Sequence, residues 1–174
     1  MRKNLQLIAL LRSLATGMIA PVLTLMALSH GATIVTLSLA NSFYAFTVIA
    51  AEFPSGVFAD LFGRKRSFVI SSVFVLLSYM LFLFSHSFLM LIFAMVSFGL
   101  GRAFASGSID ALAIDETSTD EELVKVTSRL AVLESVGLSV GSLAGGFLAG
   151  IGSAYAGNLL ACTAVIGVML LITL

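Results

Sequence analysis

Five charged side chains fall inside stretches otherwise too apolar to hold them: Arg12, Glu52, Arg102, Asp110 and Glu134. Placing such a group near the centre of a membrane helix costs about 2.5–3.5 kcal/mol on insertion scales, so each needs a counter-charge or water. Two cations against three anions leave one surplus carboxylate. Desolvation raises the proton affinity of an acid and a neighbouring guanidinium lowers it, so a conformational change that alters either can load or discharge a proton. The chemistry open to this set is therefore proton uptake and release, or a structural ion-pair network. Other chemistries lack their parts. Cys162 is the single cysteine, and with His30 and His86 it is too little for a disulfide or a closed zinc site. No His-Glu-x-x-His pair and no serine–histidine arrangement falls within a span, so neither a cofactor nor an enzyme activity is expected.

The elements that must position these charges are apolar runs. Of 174 residues, 59% are hydrophobic and 10% charged, with a mean hydropathy of +1.12. A soluble domain carries about a quarter charged residues, so this chain is expected to be solvated by membrane lipid instead. Nine Lys plus Arg against nine Asp plus Glu give no basic field for nucleic acid. A helix needs roughly 20 apolar residues to cross the hydrocarbon, at about 1.5 Å each. Six stretches qualify: 5–28, 33–59, 67–84, 88–114, 124–149 and 156–174. The links are short, which makes neighbours antiparallel. Thr119 and Glu122 read either as a capping box for the fifth helix or as a solvated acidic loop.

If the spans alternate, Arg2, Lys3, Arg64, Lys65, Arg66, Lys125 and Arg129 all lie on one side, which the positive-inside rule makes cytoplasmic, the N-terminus included. Arg12 interrupts the first apolar run and argues against a cleaved leader. Counted from the basic ends, Arg12, Glu52, Asp110 and Glu134 share a depth of roughly 8–15 Å, with Arg102 nearer the midplane, so one network could hold all five. His30 and His86 fall in the opposite loops as interfacial polar residues or pH-sensitive groups.

The most specific run is Gly56-Val57-Phe58-Ala59-Asp60-Leu61-Phe62-Gly63-Arg64-Lys65-Arg66. Gly56 and Ala59 remove bulk where helices would approach. Asp60 ends a helix, where the dipole disfavours an anion, and Arg64 is a cation within reach. Gly63 permits the reversal into the third helix. This run resembles motif A of the major facilitator superfamily of secondary transporters, matching at Gly56, Asp60, Gly63, Arg64 and Lys65 and departing at Leu61, where the family usually has a cation. The resemblance implies an all-α membrane protein, six transmembrane helices as two inverted three-helix repeats, forming half of that fold. It also implies a gate of Asp60 and Arg64, with Asp115 as a further partner, that locks the outward-facing state.

A second resemblance lies in the fifth span. Gly137, Gly141 and Gly145 recur every four residues, and Gly137 through Gly146 is similar to the fifth-helix motif of the family's antiporters, with Ser142 where Pro is expected. Generic small-residue packing explains the same spacing. Arg102 stands where the family often has a buried Arg, although the Gly of that pattern falls one place late, at Gly107, and its Gln is lacking. Together these resemblances imply proton-coupled efflux of a drug or metabolite, by alternating access, across a bacterial inner membrane. The implied partners are lipid, a small-molecule substrate, protons, and a second six-helix half or a second copy of the chain. The last span stops at Leu174 without a polar flank, so the chain reads as one half of a longer protein or as a half-sized protein that pairs with itself. A non-transporting membrane scaffold is the rival reading.

Overall fold

The computed structural model describes residues 3–85, 87–106, 120–150 and 155–173. Six helices account for nearly all of them: α1 (Lys3–Ser29), α2 (Ile34–Phe62), α3 (Arg64–Leu83), α4 (Phe88–Ala105), α5 (Asp120–Ala149) and α6 (Ala156–Thr173). All six contain a stretch long and apolar enough to cross a membrane. No strand occurs among the described residues.

Local chemistry sets the ends. After α1 the chain turns through a Schellman motif: Ala32 N–H donates to the Ala27 carbonyl at 3.0 Å and Gly31 N–H to that of Leu28 at 3.0 Å, with Gly31 at φ 89°. Thr33 then caps α2 reciprocally with Thr36, and Ser87 Oγ accepts from Met90 N–H at 3.3 Å to start α4. Gly63 is the single residue between α2 and α3. Two boundaries therefore move from the sequence reading. α2 runs on to Phe62, and the basic triplet forms the first turn of α3 rather than a loop.

α1 packs on α5 and α6, α4 packs on α2 and α3, and α3 meets α6. Exchanging α1–α3 with α4–α6 maps this set of neighbours onto itself. Each three-helix unit makes an odd number of crossings, so the second starts from the opposite side: these are two repeats of inverted topology. The crossings use glycine in matching places. A methyl group on Gly17 of α1 would overlap the Leu138 carbonyl of α5, and one on Gly99 of α4 would lie 3.0 Å from the Tyr44 carbonyl of α2. The first helix of each repeat thus lies against the second helix of the other, backbone to backbone.

The charge-free helices α3 and α6, expected to be peripheral, supply most of the large buried side chains, among them Phe68, Tyr79, Phe82, Leu159 and Met169. α2 and α5 are the least covered, exposing Phe46, Ile49 and Phe53 on one and Val132, Leu143 and Phe147 on the other.

Candidate solute pathway and charged gate

α4 ends at Ala105, although its apolar run continues toward residue 114. The last carbonyls of a helix have no partner within it, and at membrane depth water is not there to satisfy them. Three serines from neighbouring helices do so. Ser55 Oγ of α2 donates to the Ala103 carbonyl at 2.9 Å, Ser67 Oγ of α3 to that of Phe104 at 2.9 Å, and Ser71 Oγ to that of Gly101 at 2.7 Å. Ser106, just past the helix, donates through Oγ to Glu52 Oε1 at 3.2 Å. The end of α4 is therefore level with Glu52, about 15 Å of helix in from Phe62.

This placement corrects the expected depth of Arg102. It lies in the last turn of α4, where the helix dipole favours a cation, and at the level of Arg12 rather than beyond it. Arg12 and Arg102 line one cavity of about 110 Å³ together with Thr16, Tyr44, Ser71 and Tyr79. A second cavity of about 230 Å³ between α1, α2 and α4 shares Thr16, Tyr44 and Phe98 with the first and adds Asn41 and Met95. The two form a continuous polar and aromatic tract through spans that are otherwise aliphatic.

The five in-span charges are not gathered into one described network. Arg12 and Arg102 come together. Glu52 is exposed and held by Ser106, and Glu134 is half-buried on α5; neither lines the cavity. Asp110 lies outside the described residues, as do Asp115, Thr119 and His86. His30 places Nδ1 3.4 Å from Ser85 Oγ, whose own hydroxyl donates to the Phe82 carbonyl at 2.7 Å, so the ring is the donor and joins the turns after α1 and α3.

At the motif around Gly63, Asp60 is exposed in the last turn of α2, while Arg64 is half-buried and Lys65 exposed in the first turn of α3. Arg64 and Lys65 are both engaged in polar or charged contacts. Both ends carry charges of the sign that the local dipole disfavours, an anion at a C-terminus and cations at an N-terminus, so their proximity across Gly63 offsets what each costs alone. The expected close approach at Gly56 is not made within this bundle: a side chain there would meet no atom within 4 Å.

The glycines of α5 divide. Gly137, Gly141 and Gly145 face α1, where a methyl group would overlap the carbonyl oxygens of Leu10, Leu14 and Met18 in turn. Gly146 faces open space, so it takes no part in this packing. Ser142, the residue at the place of the antiporters' proline, has a specific task. Pro21 lies inside α1 and brings no N–H, which leaves the Gly17 carbonyl without its usual donor. Ser142 Oγ of α5 donates to that carbonyl at 3.3 Å. On the same turn of α1, Asn158 Nδ2 of α6 donates to the Met18 carbonyl at 3.0 Å. Ser142→Ala is therefore expected to cost about 0.5–1 kcal/mol in the native background and close to nothing once Pro21→Ala restores the backbone donor. A thermal-unfolding double-mutant cycle measures this, and additive losses would show that the two residues are not coupled.

Reading charge and hydropathy alone misses the three capping serines, Tyr79, Asn158 and the glycines at 17, 99 and 101. Only the serines left a sequence signal, as hydroxyls at 55, 67 and 71 flanking the basic triplet.

A model of the Major Facilitator Superfamily matches residues 5–174. The chain is 31% identical over 141 residues to YxaM of Bacillus subtilis, an uncharacterized MFS-type transporter, covering 79% of this chain and 34% of that protein. It is 27% identical over 139 residues to MJ1560 of Methanocaldococcus jannaschii, another uncharacterized MFS-type transporter, covering 78% of this chain and 35% of the relative. The matched region thus spans about a third of the length of these relatives. With six apolar helices in two inverted repeats and the glycine–aspartate motif between α2 and α3, the chain belongs to the major facilitator superfamily.

Proposed function

We propose that the protein works as a secondary active transporter, moving a small solute by alternating access and exporting it in exchange for protons. The observation that carries this reading is the polar tract formed by the two joined cavities, since hydroxyls, an amide and two guanidinium groups inside apolar spans are expensive unless they line a path. The names of the relatives support transport. The glycine run of α5 supports the antiporter direction, and Glu52, Glu134 and Asp110 are the carboxylates available to carry the proton. On this reading Asp60, Arg64 and Asp115 lock the basic ends of the helices, the basic ends face the cytoplasm of a bacterial inner membrane, and a second six-helix unit covers the cavity face.

Proteoliposomes holding the protein and a pH-sensitive dye, given an imposed pH gradient and a panel of small solutes, test this. Solute-dependent proton flux is expected. Among Glu52→Gln, Asp110→Asn and Glu134→Gln, at least one is expected to lower that flux tenfold or more while leaving the protein folded. Full coupling in all three variants overturns the proton assignment. No flux with any solute, from protein that stays monodisperse, favours a membrane scaffold, whose docking surface would be the uncovered apolar sides of α2 and α5.

A further inference from the structure

The smaller cavity carries a more specific chemistry than the tract as a whole. It is enclosed within the six-helix unit by side chains of α1, α2, α3, α4 and α6, so it is distinct from the open α1–α2–α4 face. Its hydroxyls are largely committed. Thr16 Oγ1 donates to the Arg12 carbonyl at 3.0 Å, Ser71 Oγ to the Gly101 carbonyl at 2.7 Å, and Ser72 Oγ to the Phe68 carbonyl at 3.0 Å. The groups left to donate into the space are the guanidinium groups of Arg12 and Arg102 and the phenols of Tyr44 and Tyr79. Tyr79 is 1% exposed, so its hydroxyl is fixed by packing. No carboxylate lines the cavity among the described residues.

A space rich in fixed donors, with two positive charges and no lining anion, matches a guest that brings acceptors and negative charge. Size narrows the guest. An apolar protein cavity of about 150 Å³ accommodates benzene, with six heavy atoms, so about 110 Å³ suits a guest of about four. We propose that this cavity binds a small monoanion of about four heavy atoms or fewer, such as a short carboxylate, nitrate or halide, held between Arg12 and Arg102 with Tyr79 as a fixed donor. The inference deepens the transport reading by naming a substrate or co-substrate class, and rests on it for that role alone; binding itself does not require transport.

The test is binding to the intact protein in detergent at constant ionic strength, with acetate, nitrate or chloride replacing gluconate, an anion too large for the cavity. A ligand that binds only the folded state raises its melting temperature in a saturable way. A saturable rise with at least one of the three small anions is expected. Its half-saturation concentration should increase tenfold or more in Arg102→Gln, and several-fold in Tyr79→Phe, which keeps the ring and deletes the donor. Variants are compared after circular dichroism and gel filtration show them folded; should Arg102→Gln not fold, Arg12→Gln and Tyr79→Phe carry the comparison. No saturable shift with any small anion, or an equal shift in Tyr79→Phe and the arginine variants, overturns the proposal. Proton-coupled flux of other solutes with no anion binding would sink this inference and leave the transport reading standing. Anion binding without any flux would do the reverse.

Discussion

Gly145→Ala and Gly146→Ala, one methyl group each at adjacent positions, are expected to move stability in opposite directions. At Gly145 the added carbon falls onto the Met18 carbonyl oxygen, a backbone atom that cannot rotate away. α1 and α5 must separate to admit it, and the separation also strains the neighbouring close approaches of Gly137 on Leu10 and Gly141 on Leu14. Overpacking of this kind costs about 1–3 kcal/mol, and the upper part of that range applies because the obstacle is main chain. At Gly146 nothing lies within 4 Å of the new carbon. What remains is the helix propensity of alanine over glycine, a gain of up to about 1 kcal/mol. Thermal unfolding of the purified protein reads both. The expected result is a lower midpoint for Gly145→Ala and an equal or higher one for Gly146→Ala. Equal losses at the two positions would mean that α5 does not cross α1 on its glycine face.

The two positions also show what a sequence can and cannot reveal. A four-residue recurrence of glycine is legible because a helix returns to the same face at that interval, so the ladder at 137, 141 and 145 announces a close crossing. Gly146 breaks the interval, yet in the antiporter-like run it seems to belong with the others; its separate orientation is visible only in three dimensions. Isolated glycines announce nothing. Gly17 and Gly99, which mediate the equivalent crossings in the two repeats, have no partner at a helical interval on their own helix and are recognisable only from what they touch.

Span number and order follow from hydropathy, since no other arrangement satisfies the backbone in lipid. The end of α4 does not. Apolar residues continue beyond Ala105, and the helix stops where it does because Ser55, Ser67 and Ser71, on two other helices, accommodate its last carbonyls. That is a tertiary cause with no local trace. The same tertiary fact changes the reading of the charges. Depth counted along an uninterrupted fourth helix separates Arg102 from Arg12, whereas the actual end of α4 brings the two guanidinium groups to one cavity and leaves Glu52 outside it. Charge type was legible; adjacency was not.

Gly63→Ala is the second substitution with a large expected effect, and here the conformation rather than the space is decisive. Gly63 stands at φ 94° and ψ 142°, a region in which any side chain is strained, and it is the whole connection between α2 and α3. Its carbonyl accepts from the Arg66 and Ser67 N–H groups at 3.1 and 3.3 Å, which ties its backbone angles to the first turn of α3. A Cβ at this position costs about 1–3 kcal/mol if the link keeps its shape. If the link relaxes instead, the last turn of α2 with Asp60 and the first turn of α3 with Arg64 and Lys65 change their relative placement. Either route lowers the unfolding midpoint. Gly31→Ala is the matched control, because Gly31 stands at φ 89° in the turn at the other end of α2, with nothing within 4 Å and without the motif's charges. Both variants should lose similar stability. If the charged link is the gate that the proposed function requires, solute-driven proton flux should fall at least tenfold in Gly63→Ala and no more than about twofold in Gly31→Ala at temperatures where both are folded. Equal flux in the two would reduce the Gly63 motif to a tight turn, because a strained backbone alone would then account for everything the substitution does.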